Sequence, residues 1–144
     1  MIEKTLIMIK PDHVQVAYKI LDELDDYGTR GRCTRIDSVP LDVIARHYVV
    51  HQGKSFYDRL IDSFVGRAVV VAIYEGDDIV RKMLDKCGAT DPLKAAADTI
   101  RKKYSTDSLE KAISEGRTVK NVIHRSDSVA EAHREIEVWK RYLG

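Results

Sequence analysis

Cysteine is almost absent from this chain: only Cys33 and Cys87 occur in 144 residues, at a spacing that suits neither a disulfide framework nor a metal-binding pair. That excludes a small secreted scaffold stapled by disulfides and makes a reducing cytoplasm the expected setting. Long hydrophobic runs are missing too. Nothing approaches the roughly 20 apolar residues of a membrane helix, and the chain opens on a strand pattern rather than a basic stretch and an apolar segment. No membrane partner is expected. Nor is there an excess of charge of one sign, because 24 Lys and Arg nearly cancel 23 Asp and Glu. A balance of that kind gives no global field for nucleic acid, so any anion binding must be local. Repeats, linkers and low-complexity tracts are absent, and a chain of 144 residues is expected to form one domain, 1–144, around a single core.

What is present concentrates at two strand ends. In Asn121-Val122-Ile123-His124-Arg125-Ser126-Asp127-Ser128 a β-branched run stops at an imidazole, and a small polar cluster then opens a helix. Ser128 is the expected cap with Glu131 three residues on, and Val129, Ala132, Ile136, Trp139 and Leu143 supply the apolar face. Glu135, on that helix, is placed to fold back on one nitrogen of His124 and leave the other free. A lone histidine at a strand end is more often scaffold than catalyst. The second strand end shifts that balance: Thr5-Leu6-Ile7-Met8-Ile9-Lys10-Pro11-Asp12 ends an apolar run with a lysine and a turn that cannot continue the ladder. A cation and a nucleophile candidate at two strand ends are the kind of pairing an anionic phosphate substrate requires.

From Thr5 to about Trp139 the chain resembles the nucleoside diphosphate kinases. The pieces stand in family order: TLIMIKPD with Lys10, RHYVVHQGKSFYDRL with Tyr48 and Phe56, VVVAIYEG, GATDP with Thr90, DTIR with Arg101, NVIHRSDS with Asn121 and His124, and HREIEVW with Glu135. The resemblance implies transfer of the terminal phosphoryl of a nucleoside triphosphate to a nucleoside diphosphate through phosphohistidine at His124. It also implies Mg2+ bound with the nucleotide phosphates and a homo-oligomer. Glu135 would orient His124, Lys10 and Arg101 would neutralise phosphate, Thr90 would donate a hydroxyl, Phe56 would stack on the base and Asn121 would contact the ribose, with Tyr48 beside them. No protein-held metal site is implied. The alternative left open is a nucleotide-binding module with weak or no transfer, acting as a sensor or assembly unit.

Departures from the family pattern carry their own expectations. His13 stands where a glycine usually follows the Pro-Asp turn, and Arg125 replaces the small residue after the histidine, where it can clamp phosphate or block access. Leu84 occupies the position of a family arginine, and Arg81, one helical turn earlier, is the candidate replacement. Ala97-Asp98 replaces Pro-Gly before Thr99, and the longer stretch from Ser105 to Lys120 reads as an inserted helix near the cleft. His47 and His51 share helical spacing, but no third ligand accompanies them.

The expected order is strand 5–10, helix 14–27, strand 31–40, helices within 41–65, strand 68–74, helix 77–87, a mixed region, strand 119–124 and helix 128–142. Two β-α-β halves follow, so the fold class is α/β (α+β): a ferredoxin-like split β-α-β sandwich, a four-stranded antiparallel sheet with helices on one face. Gly28 is read as the stop of the first helix.

Overall fold

Residues 5–9 are buried without interruption, which a strand tolerates only where both of its faces are covered. In the computed structural model, which describes residues 1–144, this run lies in the central strand β1 (Ile2–Ile9). With β2 (Thr29–Ile36), β3 (Val69–Asp77) and β4 (Ile123–Arg125) it forms an antiparallel sheet ordered β2-β3-β1-β4. Leu6 pairs with Ile73 and Ile9 with Val70 on one side of β1, and Met8 pairs with His124 on the other.

The two-residue period of β1 divides the core. Ile7 and Ile9 face one cluster, closed by Ile20, Leu21 and Leu24 of α1 (Ala17–Leu24) and by Met83 and Cys87 of α4 (Ile79–Cys87). Leu6 and Met8 face the other, closed by α2 (Leu41–His47), α3 (Tyr57–Asp62) and α7 (Val129–Leu143), with Trp139 at its centre. The expected split β-α-β sheet is present, with one correction: helices cover both faces. Two short helices, α5 (Ile100–Tyr104) and α6 (Leu109–Ser114), fill the stretch between α4 and β4.

Other boundaries moved for local reasons. Residues 11–16 form a 3-10 turn rather than α-helix, and α1 stops at Leu24. Gly28 serves close packing, since a Cβ there would sit 3.0 Å from the Glu75 carbonyl and 2.5 Å from Ile79 Cδ1. The last strand is only three residues long because Val122 adopts φ 75° and the Ile123 N–H donates to the Asn121 carbonyl at 2.8 Å, closing a three-residue turn.

Gly88 ends α4 at φ 92° and offers its carbonyl to Arg101 Nη1 at 2.9 Å. A Cβ at Gly88 would lie 2.7 Å from the Thr99 side chain. Gly88→Ala should therefore cost about 1 to 3 kcal/mol from backbone strain and crowding. Urea unfolding measures it, and an unchanged midpoint would refute the argument.

Candidate active site

Antiparallel pairing of β1 with β4 brings the two strand ends of the sequence together. The Lys10 N–H donates to the Val122 carbonyl at 2.9 Å, and His124 stands opposite Met8. Residues from both ends line one cavity of about 780 Å³, a size suited to a small-molecule ligand.

At its floor, His124 Nε2 lies 2.8 Å from Glu135 Oε1. An ionised carboxylate only accepts, so Nε2 carries the proton and Nδ1 keeps the free lone pair. The same oxygen accepts from Ser126 Oγ at 2.8 Å, and that hydroxyl oxygen accepts from the Leu6 N–H at 3.1 Å, so Glu135 is tied to the central strand. Burial holds His124 well below its ordinary range, and the charges of Lys10, Arg125 and Arg101 lower it further. The imidazole is consequently neutral at neutral pH. Burial raises Glu135.

Behind this pair sits His47, whose ring centroid is 4.4 Å from that of His124. Trp139 Nε1 donates to His47 Nδ1 at 2.9 Å, so the proton of the neutral ring resides on Nε2, a buried group with no partner. Nothing in the sequence signals this arrangement, because His47, Trp139 and His124 lie on three separate elements. Ser126, by contrast, stands within the NVIHRSDS piece, beside the histidine whose carboxylate partner it holds. The spacing of His47 and His51 unites nothing: His51 is partly exposed and lies 3.0 Å from Lys54 Nζ through its Nδ1.

Cations occupy the opposite wall. Lys10 Nζ donates to Asn121 Oδ1 at 2.6 Å, and Asn121 Nδ2 donates to the Thr90 carbonyl at 3.1 Å, fixing lysine, loop and strand as one unit. Arg101 is buried and directs Nε, Nη1 and Nη2 at the carbonyls of Asn121, Gly88 and Ile123, at 3.1, 2.9 and 2.7 Å. The turn at Val122 makes this possible by presenting the carbonyls on both sides of it to one guanidinium. Burial lowers Lys10 to about 7 and Arg101 to about 10, with Arg125 adding to both.

Part of the mouth is apolar. Phe56, 38% exposed, and Leu60 line it from the α3 side, Leu109, Ala112 and Ile113 from α6, and Tyr48 is buried beside His124 at 5.9 Å between ring centroids. The inserted segment is thus a wall of the cavity. It is braced by the two-pronged Arg117–Asp107 pair, at 2.7 and 2.9 Å, and by the Leu109 N–H donating to Asp91 Oδ1 at 3.3 Å.

The structure gathers Lys10, Tyr48, Phe56, Thr90, Arg101, Asn121, His124 and Glu135 around this cavity, and it corrects one expectation. Arg81 is not there. Its side chain lies on the exposed face of α4, held by Asp78 at 2.6 Å and Asp85 at 2.9 Å. One turn of a helix changes direction as well as height, and the nearest carboxylates captured the guanidinium.

The family model for nucleoside diphosphate kinase matches residues 3–142. The chain belongs to the nucleoside diphosphate kinase family. It is 34% identical to the nucleoside diphosphate kinase of Rhodococcus opacus over 142 residues, covering 96% of this chain and 95% of that one. The enzyme of Desulforamulus reducens is also 34% identical, over 139 residues, with 95% and 87% covered. Among solved structures, the nucleoside diphosphate kinase of Borrelia burgdorferi with bound vanadate and ADP superposes with a TM-score of 0.89 at 27% identity, covering 96% of this chain and 86% of that one. An NDP kinase from Pyrobaculum aerophilum gives 0.85 at 27% identity, with 96% of each chain covered.

Because burial holds Lys10 down at about 7, an anion placed beside it would be bound with a proton. A polyphosphate beside the amine would oppose the desolvation that lowers it. Binding at pH 8 should therefore take up a proton, and affinity should fall as pH rises from 7 toward lysine's ordinary range. Calorimetry of ATP binding at pH 8 in two buffers of different ionisation heat reads the uptake directly. Identical heats in both buffers would exclude it.

Proposed function

We propose that this nucleoside diphosphate kinase works by a ping-pong cycle in which His124 carries the phosphoryl group between nucleotides. The observation that carries the reading is a neutral imidazole, held through Nε2 by Glu135, on the floor of a cavity with a cationic wall. The Nδ1 lone pair attacks the γ-phosphorus, a P–N bond forms, and the bond from phosphorus to the β–γ bridging oxygen breaks. The electron pair leaves on the diphosphate, and the second half-reaction reverses these steps on an incoming nucleoside diphosphate. Lys10 and Arg101 stabilise the charge, Thr90 and Asn121 position the nucleotide, Phe56 offers a face for base stacking, and Tyr48 is buried beside His124 in the lining. A module that only bound nucleotide would have no use for a nucleophile together with an orienting carboxylate.

Magnesium fits this site as a companion of the nucleotide. The cluster able to hold a metal by itself, His47, His124 and Glu135, is nitrogen-rich and suits other ions. Of the carboxylates lining the cavity, Asp12 pairs with Arg67, Glu131 with Arg134 and Glu135 with His124, which leaves Asp127, 72% exposed at the side chain and paired only with Arg125, as the one nearest to free. Mg2+ would thus be held mainly by phosphate oxygens and water, where it neutralises phosphate charge.

The reading extends to one domain spanning residues 1–144 and to a cytoplasmic setting, which two free cysteines support. No helix is long and apolar enough to cross a membrane. It extends also to a homo-oligomer, on family likeness alone, with light scattering as its test.

Incubation with γ-labelled ATP and Mg2+ should label the protein with an acid-labile, base-stable phosphate. His124→Ala should abolish both label and transfer while ATP affinity changes by no more than a modest factor; transfer near the wild-type rate would refute the assignment. Glu135→Gln keeps shape and removes charge, so turnover should fall by about 10- to 100-fold with KM little changed. Unaltered turnover would reduce Glu135 to a packing residue.

A further inference from the structure

The cationic wall raises a question of supply. Arg101 has three of its donors committed to backbone carbonyls. Lys10 has a donor on Asn121. Helix α4 contributes no cation to the cavity, since Leu84 is apolar and Arg81 is held outside by Asp78 and Asp85. Lys120 and Arg59 also line the cavity, but on its exposed rim, while Arg117 is spent on Asp107 and Arg134 on Glu131 and the carbonyls of Arg46 and His47.

Arg125 is different. It follows His124 directly in β4, lines the same cavity, and has a side chain only 18% exposed. One donor, Nη1, reaches Asp127 Oδ1 at 2.7 Å, and Nε is buried with no acceptor at all. A buried guanidinium donor without an acceptor is costly to maintain in a folded protein. Its sole carboxylate partner is largely in solvent and easily exchanged. The guanidinium therefore has both the charge and the vacant donors to take phosphate oxygens, and the fork suits two at once.

We propose that Arg125 is a phosphate-binding residue of this site, holding the nucleotide phosphates beside His124 in place of a cation that α4 does not provide. It forms and breaks no covalent bond: phosphate oxygens satisfy its unpaired donors, and Asp127 is released to solvent. The proposal rests on the phosphotransfer reading above, and its test separates the two.

The test titrates ATP and adenosine, each with Mg2+, into wild type, Arg125→Ala and Arg125→Lys by calorimetry, alongside labelling with γ-labelled ATP. Loss of a charged, fork-shaped contact should weaken ATP binding to Arg125→Ala by about 10- to 100-fold, with Arg125→Lys intermediate. Adenosine, which has no phosphate, should bind both variants within about twofold of wild type, because only phosphate contacts are lost. Unchanged ATP affinity overturns the proposal. So does tighter ATP binding or faster labelling in Arg125→Ala, either of which would mean that the side chain obstructs the cavity. An equal loss for ATP and adenosine overturns it as well, by showing that the residue only shapes the site. Should Arg125→Ala fail to fold by circular dichroism, Arg125→Gln, which keeps most of the stem, is judged by the same outcomes. Wild type that binds ATP but takes no acid-labile label would refute the phosphohistidine cycle, while the ATP-to-adenosine comparison would still decide the role of Arg125.

Discussion

The bond from His124 Nε2 to Glu135 Oε1 is the interaction on which the chemistry of this fold depends. It fixes the tautomer, so that the free lone pair is on Nδ1, and it holds the ring where β4 delivers it. Its strength is borrowed from the fold. Glu135 lies on α7, whose Trp139 anchors the second core cluster, and Ser126 ties the carboxylate oxygen to the backbone of β1. Displacing α7 from the sheet would undo the packing and the nucleophile together.

A second constraint sets the cationic wall. Phosphate binding needs positive charge in a place that water has partly left, yet buried cations repel one another and lose hydration. The fold meets this with backbone oxygens. The strained turn at Val122 sets the carbonyls of Asn121 and Ile123 toward Arg101, while the carbonyl of Val122 itself receives the Lys10 N–H. Burial first, and then the positive charges of Lys10, Arg125 and Arg101, keep His124 unprotonated even with the Glu135 carboxylate on its Nε2.

Much of the fold could be read from the chain because its signals are local. The apolar run of residues 5–9, the stripe of α1 and the Ser128–Glu131 cap each follow from side chains within one element, and all three appear where expected. Glu135 and His124 were also legible, as a short helix start separates them and allows one to fold onto the other. The sequence predicts a longer last strand, since Val122 is a good strand former by type, whereas the structure holds it at positive φ with the carbonyls on either side bound to Arg101. Helices on the second face were missed because burial of both faces of β1 is a property of the assembled sheet.

The sequence by itself determined the order of elements, the split β-α-β pattern, and the residue types gathered at two strand ends, since periodicity, caps and motif order act over a few residues at a time. Only the tertiary structure decided that His47 and Trp139 back the nucleophile, that Ser126 braces its carboxylate, and that α6 becomes a cavity wall. It also decided the fates of the two arginines in question. Arg81 met Asp78 and Asp85 on its own helix, whereas Arg125 entered a cavity with one exposed carboxylate for a partner. A charge goes to whichever counter-charge its backbone brings within reach, and that distance is set by packing between elements far apart in the chain.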